Sequence, residues 1–163
     1  MQLAVRNNQE LPRWVRVGSI VTIAGPQLFT GAWAVVAPHH WFDHFPGLGP
    51  LLVAAEPPFN AHLASDAGAG FLAAGVAVAV AATLGRRLLM LFALGIYAVG
   101  GLPHVLYHVM NPAPGLSDVE NIVSVGMLAS GLVAAGVLVW CTRRTAPTQR
   151  DEPLSKRQSA TFS

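Results

Sequence analysis

Four long apolar runs dominate the chain: Val15 to Ala37, Ala61 to Leu84, Leu88 to Met110 and Val119 to Cys141. A helix needs ~20 apolar residues to cross ~30 Å of hydrocarbon, and each run meets that length. Inside a bilayer every backbone N–H and C=O must find a partner within the protein, so only helices and closed barrels can span it. A barrel strand alternates apolar and polar side chains. These runs are continuously apolar and rich in Ala, Gly and Val, so they predict an all-α integral membrane protein with four transmembrane helices. Composition agrees: 11% of the 163 residues are charged and 53% are hydrophobic, where a soluble protein carries about 25% charged residues. The runs leave no room for a second folded domain. The expected organisation is a polar tail over residues 1–12, a transmembrane domain over 13–141 and a disordered polar tail over 142–163.

The basic residues set the orientation. Arg13 and Arg16, Arg86 and Arg87, and Arg143 and Arg144 flank helix ends, while Arg6, Arg150, Lys156 and Arg157 lie in the tails. The loops 38–60 and 111–118 contain no Lys or Arg, and all six His lie on that opposite side. The positive-inside rule then places both termini and the 85–87 turn in the cytoplasm. The expected assembly is a left-handed antiparallel bundle in a bacterial cytoplasmic membrane. Nine Arg against one Lys, with abundant Ala, Gly and Val, suits a GC-rich bacterial genome. The net charge of +2 comes from these flanking clusters and gives no reason to expect nucleic acid as a partner. The first run is too long for a secretory signal and carries Gly25-Pro26 in its middle. The single Cys141 excludes an intrachain disulfide.

Local signals refine the elements. Trp14 and Trp33 suit the two boundaries of the first helix. Pro26 should kink it, and Gln27 should face other helices, because an unpaired amide in lipid is costly. The segment from Pro38 to Pro50 mixes His, Asp and aromatics, and predicts a short surface helix from His39 to Phe45. Asn60 is the expected N-cap of the second helix, whose Ala and Gly residues permit close packing. The turn Gly85-Arg86-Arg87 is short enough to make the second and third helices a hairpin. Gly100, Gly101 and Pro103 predict a bend in the third. Ser117 and Glu120 form an expected capping box at the start of the fourth.

Ionisable side chains inside a span are costly and usually functional. The second helix holds His62 and Asp66, and the third holds His104 and His108. Each pair is spaced i, i+4 and so shares a helix face. At ~1.5 Å per residue, a hairpin sets His62 level with His108 and Asp66 level with His104. Imidazole and carboxylate suit a transition metal such as Zn, so His62, Asp66, His104 and His108 form a candidate metal site. Tyr97, Asp118 and Asn121 are expected behind the ligands. Several readings compete with this one. Haem iron held by His from facing helices, a quinone headgroup and a proton relay would all use the same residues. A purely structural reading has Asp66 hydrogen-bonded to His104, in an accessory subunit that binds other membrane proteins or a second copy of itself. His39, His40, Asp43 and His44 form a second candidate patch, outside the membrane. Val105 stands where a zincin would carry Glu, so that motif is absent. Nothing in these residues decides whether the site is catalytic.

The stretches Pro58-Phe59-Asn60-Ala61-His62-Leu63-Ala64-Ser65-Asp66-Ala67-Gly68-Ala69 and Gly101-Leu102-Pro103-His104-Val105-Leu106-Tyr107-His108 resemble a group of small bacterial four-helix integral membrane proteins. The layout is similar to that of DoxX-like membrane proteins. Both resemblances imply the four-span fold, and neither implies an activity.

Overall fold

The computed structural model of the protein describes residues 10–144. Four helices among them are long and apolar enough to cross a membrane: span 1 (Arg13–Val36), span 2 (Ala61–Leu84), span 3 (Arg87–Met110) and span 4 (Asp118–Arg144). By length and composition the chain is a multi-pass membrane protein. No strand occurs among the described residues, where extended pairing is limited to an isolated bridge between Glu10 and Arg86. Span 4 runs on through Arg144, so 142–144 are helical and not tail. Of the tails expected over 1–12 and 142–163, residues 1–9 and 145–163 lie outside the described residues.

Span 1 accommodates its proline by widening. It is α-helical over Arg13–Ser19, π-helical over Ile20–Ala24 and α-helical again over Gly25–Val36. Pro26 has no N–H to give the preceding turn. Just before it, the Gly25 N–H donates to the Ile20 carbonyl, five residues back. Pro26 then falls in the first turn of the next α-segment, where a missing donor costs nothing. Gly25 suits this turn, since a Cβ there would lie 3.1 Å from the Ile20 oxygen.

Spans 1 and 2 meet through glycine. A Cβ on Gly31 would come within 2.7 Å of the Gly68 carbonyl oxygen and the Leu72 nitrogen, and one on Gly75 within 3.0 Å of the Leu28 nitrogen. Lipid offers no hydrophobic drive between helices, so close backbone approach must supply the attraction. Gly31, Gly68 and Gly75 are all buried.

At the arginine end the helices cap one another. The last carbonyls of a helix lack intrahelical partners and carry partial negative charge. Arg16 on span 1 donates from Nε to the Ala82 carbonyl at 2.6 Å and from a terminal nitrogen to Thr83 at 2.8 Å. Arg87 donates to the Arg143 carbonyl at 3.2 Å. Gly85 closes span 2 in the left-handed region (φ +65°), and its carbonyl accepts from the Leu11 N–H at 2.8 Å. The fully buried side chains Val15, Ile23, Val78, Met90 and Leu94 belong to one core on this side of the molecule.

The histidine end is held differently. The surface helix expected over 39–45 forms as Pro38–His44. Its Trp41 is buried with Ala34 and Ala64, and Phe45, Val53, Phe59 and Phe71 pack around them. Asn60 caps span 2 by accepting from the Leu63 N–H at 3.1 Å. The Ser117–Glu120 capping box also forms: Glu120 accepts from the Ser117 N–H at 2.8 Å, and the Glu120 N–H reaches the Ser117 hydroxyl at 3.4 Å.

Candidate functional site

Two adjoining chambers lie toward the histidine end. The larger, of about 400 Å³, sits between Ala67, Gly70 and Ala74 of span 2 and Tyr97, Gly101 and His104 of span 3, with Gln27 of span 1 at its wall. The smaller, of about 290 Å³, is lined by Thr30, Trp41, Glu56, His104, His108 and Ser124 among others. His104, Ala67, Phe71 and Leu128 border both. Sequence spacing explains the wall: Tyr97, Gly101, His104 and His108 recur at helical intervals and form one stripe of span 3. Gly70 and Gly100 widen the larger chamber, and a Cβ on either would meet nothing within 4 Å. Gly131 of span 4 makes room for the Tyr97 hydroxyl, which occupies the space a Cβ there would need.

The proposed ligands fall into two pairs. His104 and His108 stand together, with ring centroids 4.9 Å apart and perpendicular planes. His62 and Asp66 pair with each other at 3.3 Å, with side chains 83% and 63% exposed. Neither member of that second pair borders a chamber. No group of three or more His, Cys, Asp or Glu among the described residues is arranged to hold a metal ion.

The residues expected behind the ligands also separate. Tyr97 lines the larger chamber. Asn121 clips the preceding loop to span 4: its Oδ1 accepts from the Ala113 N–H at 2.8 Å, and its Nδ2 donates to the Ala113, Leu116 and Ser117 carbonyls at 3.2 to 3.3 Å. Asp118 opens span 4 at an exposed position. In the surface patch, His39 pairs with Asp43 at 2.8 Å, and His40 accepts at Nδ1 from the Trp33 indole at 3.0 Å. The His44 ring stacks on that of His40 at 4.2 Å.

Glu56 is the residue the sequence reading overlooked. Its Oε1 lies 3.9 Å from His108 Nδ1, with the two side chains only 33% and 20% exposed. It is the lone carboxylate between Asp43 and Asp66, and that isolation in an apolar loop was the available signal. The loop folds back over span 3, which spacing along one helix could not reveal.

The chain matches no family model, no curated protein and no solved structure. The site therefore stands on its geometry alone.

Proposed function

We propose that the protein is an antiparallel four-span bundle of a bacterial cytoplasmic membrane, with both termini cytoplasmic. In this reading its outer half binds one lipophilic small molecule. The arginine distribution supports the orientation. The binding reading is carried by one observation: His104 stands at the wall common to two mostly apolar chambers, with His108 and Glu56 beyond it. A largely apolar cavity with a few convergent polar groups is the usual form of a small-molecule site. The ligand's polar head sits near His108 and Glu56, and its apolar body lies between spans 2 and 3. The resemblance in layout to DoxX-like proteins adds no activity to this reading.

Organic extraction of the purified full-length protein, followed by mass spectrometry, tests it. About one equivalent of a non-phospholipid lipophile should accompany wild type. It should be lost from His104→Ala and kept by His62→Ala. Equal retention by both variants would reject the assignment.

A second reading keeps the metal. The neighbouring imidazoles of His104 and His108, with the Glu56 carboxylate close to His108, are donors that suit Zn. As they stand these three do not form a metal-holding group, so the ion would have to draw them together, without His62 or Asp66. Metal analysis should find one equivalent that disappears in Glu56→Ala; a wild type that takes up no Zn on dialysis removes this reading.

A further inference from the structure

The smaller chamber carries two opposite unmet demands. Trp41 is 7% exposed, and its indole Nε1 has no hydrogen-bond partner. Glu56 Oε1 is likewise buried without a hydrogen-bond partner, since His108 at 3.9 Å is beyond hydrogen-bond reach. Both residues line the same chamber; each orphan atom is closed off at its wall, so a head group would meet it on a small turn of the side chain. An indole N–H only donates, and an ionised carboxylate only accepts. Buried groups of this kind normally have partners, because leaving one unpaired is costly. The chamber, at about 290 Å³, far exceeds the ~30 Å³ share of a single water.

Resting on the cavity reading above, we propose that the head group is an uncharged hydroxyl, so that the ligand class is lipophilic alcohols and phenols. A hydroxyl is the smallest organic group that accepts from Trp41 and donates to Glu56 at once. An ether or ketone only accepts and leaves Glu56 unmet. An ammonium only donates and leaves Trp41 unmet. A carboxylate or phosphate would bring negative charge against Glu56. The larger chamber, with its wall of Ala67, Gly70, Ala74 and Gly101, takes the apolar remainder.

The test uses three probes of equal tail: nonylphenol, its methyl ether and nonylbenzene. Their binding to the full-length protein in detergent micelles is measured by equilibrium dialysis. Wild type should bind the phenol roughly tenfold or more tighter than the ether, as one hydrogen bond to a charged group allows. Glu56→Leu should abolish that preference and leave ether binding within about twofold, since the ether never used the carboxylate. Trp41→Phe keeps an aromatic ring in place; it should weaken phenol and ether but not nonylbenzene. Thermal melts of both variants exclude simple unfolding, and Glu56→Gln, which keeps an oxygen acceptor, should recover part of the preference. Equal binding of phenol and ether by wild type overturns the hydroxyl inference. So does a Glu56→Leu protein that loses all three probes alike while folded. If all three probes bind equally, the cavity reading stands without the hydroxyl; if none binds, both fall.

Discussion

Replacing Gly31 by Ala adds one methyl group where spans 1 and 2 cross backbone to backbone. The new Cβ would lie 2.7 Å from the Gly68 carbonyl oxygen and the Leu72 nitrogen, whereas ordinary contact begins at 3.4 Å. Both obstacles are backbone, so no rotamer change relieves them and spans 1 and 2 must separate by several tenths of an ångström. Overpacking of this kind costs about 1–3 kcal/mol. Because both obstacles are backbone, the cost falls in the upper part of that range; the gain in helix propensity from Gly to Ala offsets about 1 kcal/mol, leaving a net loss of roughly 1–2 kcal/mol. Gly68→Ala meets the same crossing from the other side, where its Cβ would lie 2.8 Å from Ala34 Cβ. Once the helices have moved apart for one methyl, the second costs less. The double variant should therefore lose at least about 0.5 kcal/mol less than the sum of the singles. Gly126→Ala is the control, because its Cβ would meet nothing within 4 Å; it should be neutral or slightly stabilising. Unfolding in mixed micelles of increasing SDS fraction, followed by circular dichroism, measures all four. The packing argument fails if Gly31→Ala is as stable as wild type, or if Gly126→Ala is equally damaging.

Other substitutions probe other joints. Asn121→Ala removes the clip on the loop before span 4 and leaves the Ala113 N–H without its partner, so it should cost about 1–3 kcal/mol, with faster proteolysis of that loop as the readout. Arg16→Ala deletes two hydrogen bonds to the end of span 2 and should cost about 1–3 kcal/mol in the same unfolding assay; Arg16→Lys, which lacks the planar fork, should recover only part. Ser117→Ala removes a helix N-cap and should cost about 1 kcal/mol, again read from unfolding. Asp66→Ala breaks an exposed pair and should leave ligand retention unchanged, in contrast to His108→Ala.

Much of the architecture was legible because a bilayer demands long apolar helices, and the four runs and the four helices nearly coincide. The caps at Asn60 and Ser117 were readable for a related reason: capping is local chemistry within three or four residues. The stripe Tyr97–Gly101–His104–His108 was also local, and it does form a chamber wall. What spacing could not supply was rotation about the helix axis. His62 and Asp66 have a spacing identical to that of His104 and His108, yet they pair on an exposed face and border neither chamber. Level heights along two helices do not by themselves fix which way the side chains point. Glu56 and Trp41 reach the site through the folding of the 38–60 segment, and Arg16 and Arg87 cap the ends of neighbouring helices. Such contacts join residues far apart in sequence. Pro26 gave the place of the irregularity in span 1, but the widened turn before it depends on which donor replaces the missing one.

The proposal of an open, ligand-holding cavity is tested most directly by filling it. Gly100 borders the larger chamber, and a Cβ there meets nothing within 4 Å, so the side chain of Gly100→Leu starts into open space. Lipophile content is measured in organic extracts of wild type and variant purified side by side. The expected result is about one equivalent in wild type and almost none in Gly100→Leu, with the variant melting at or above the wild-type temperature. A well-folded Gly100→Leu protein that retains the full equivalent would contradict the proposal.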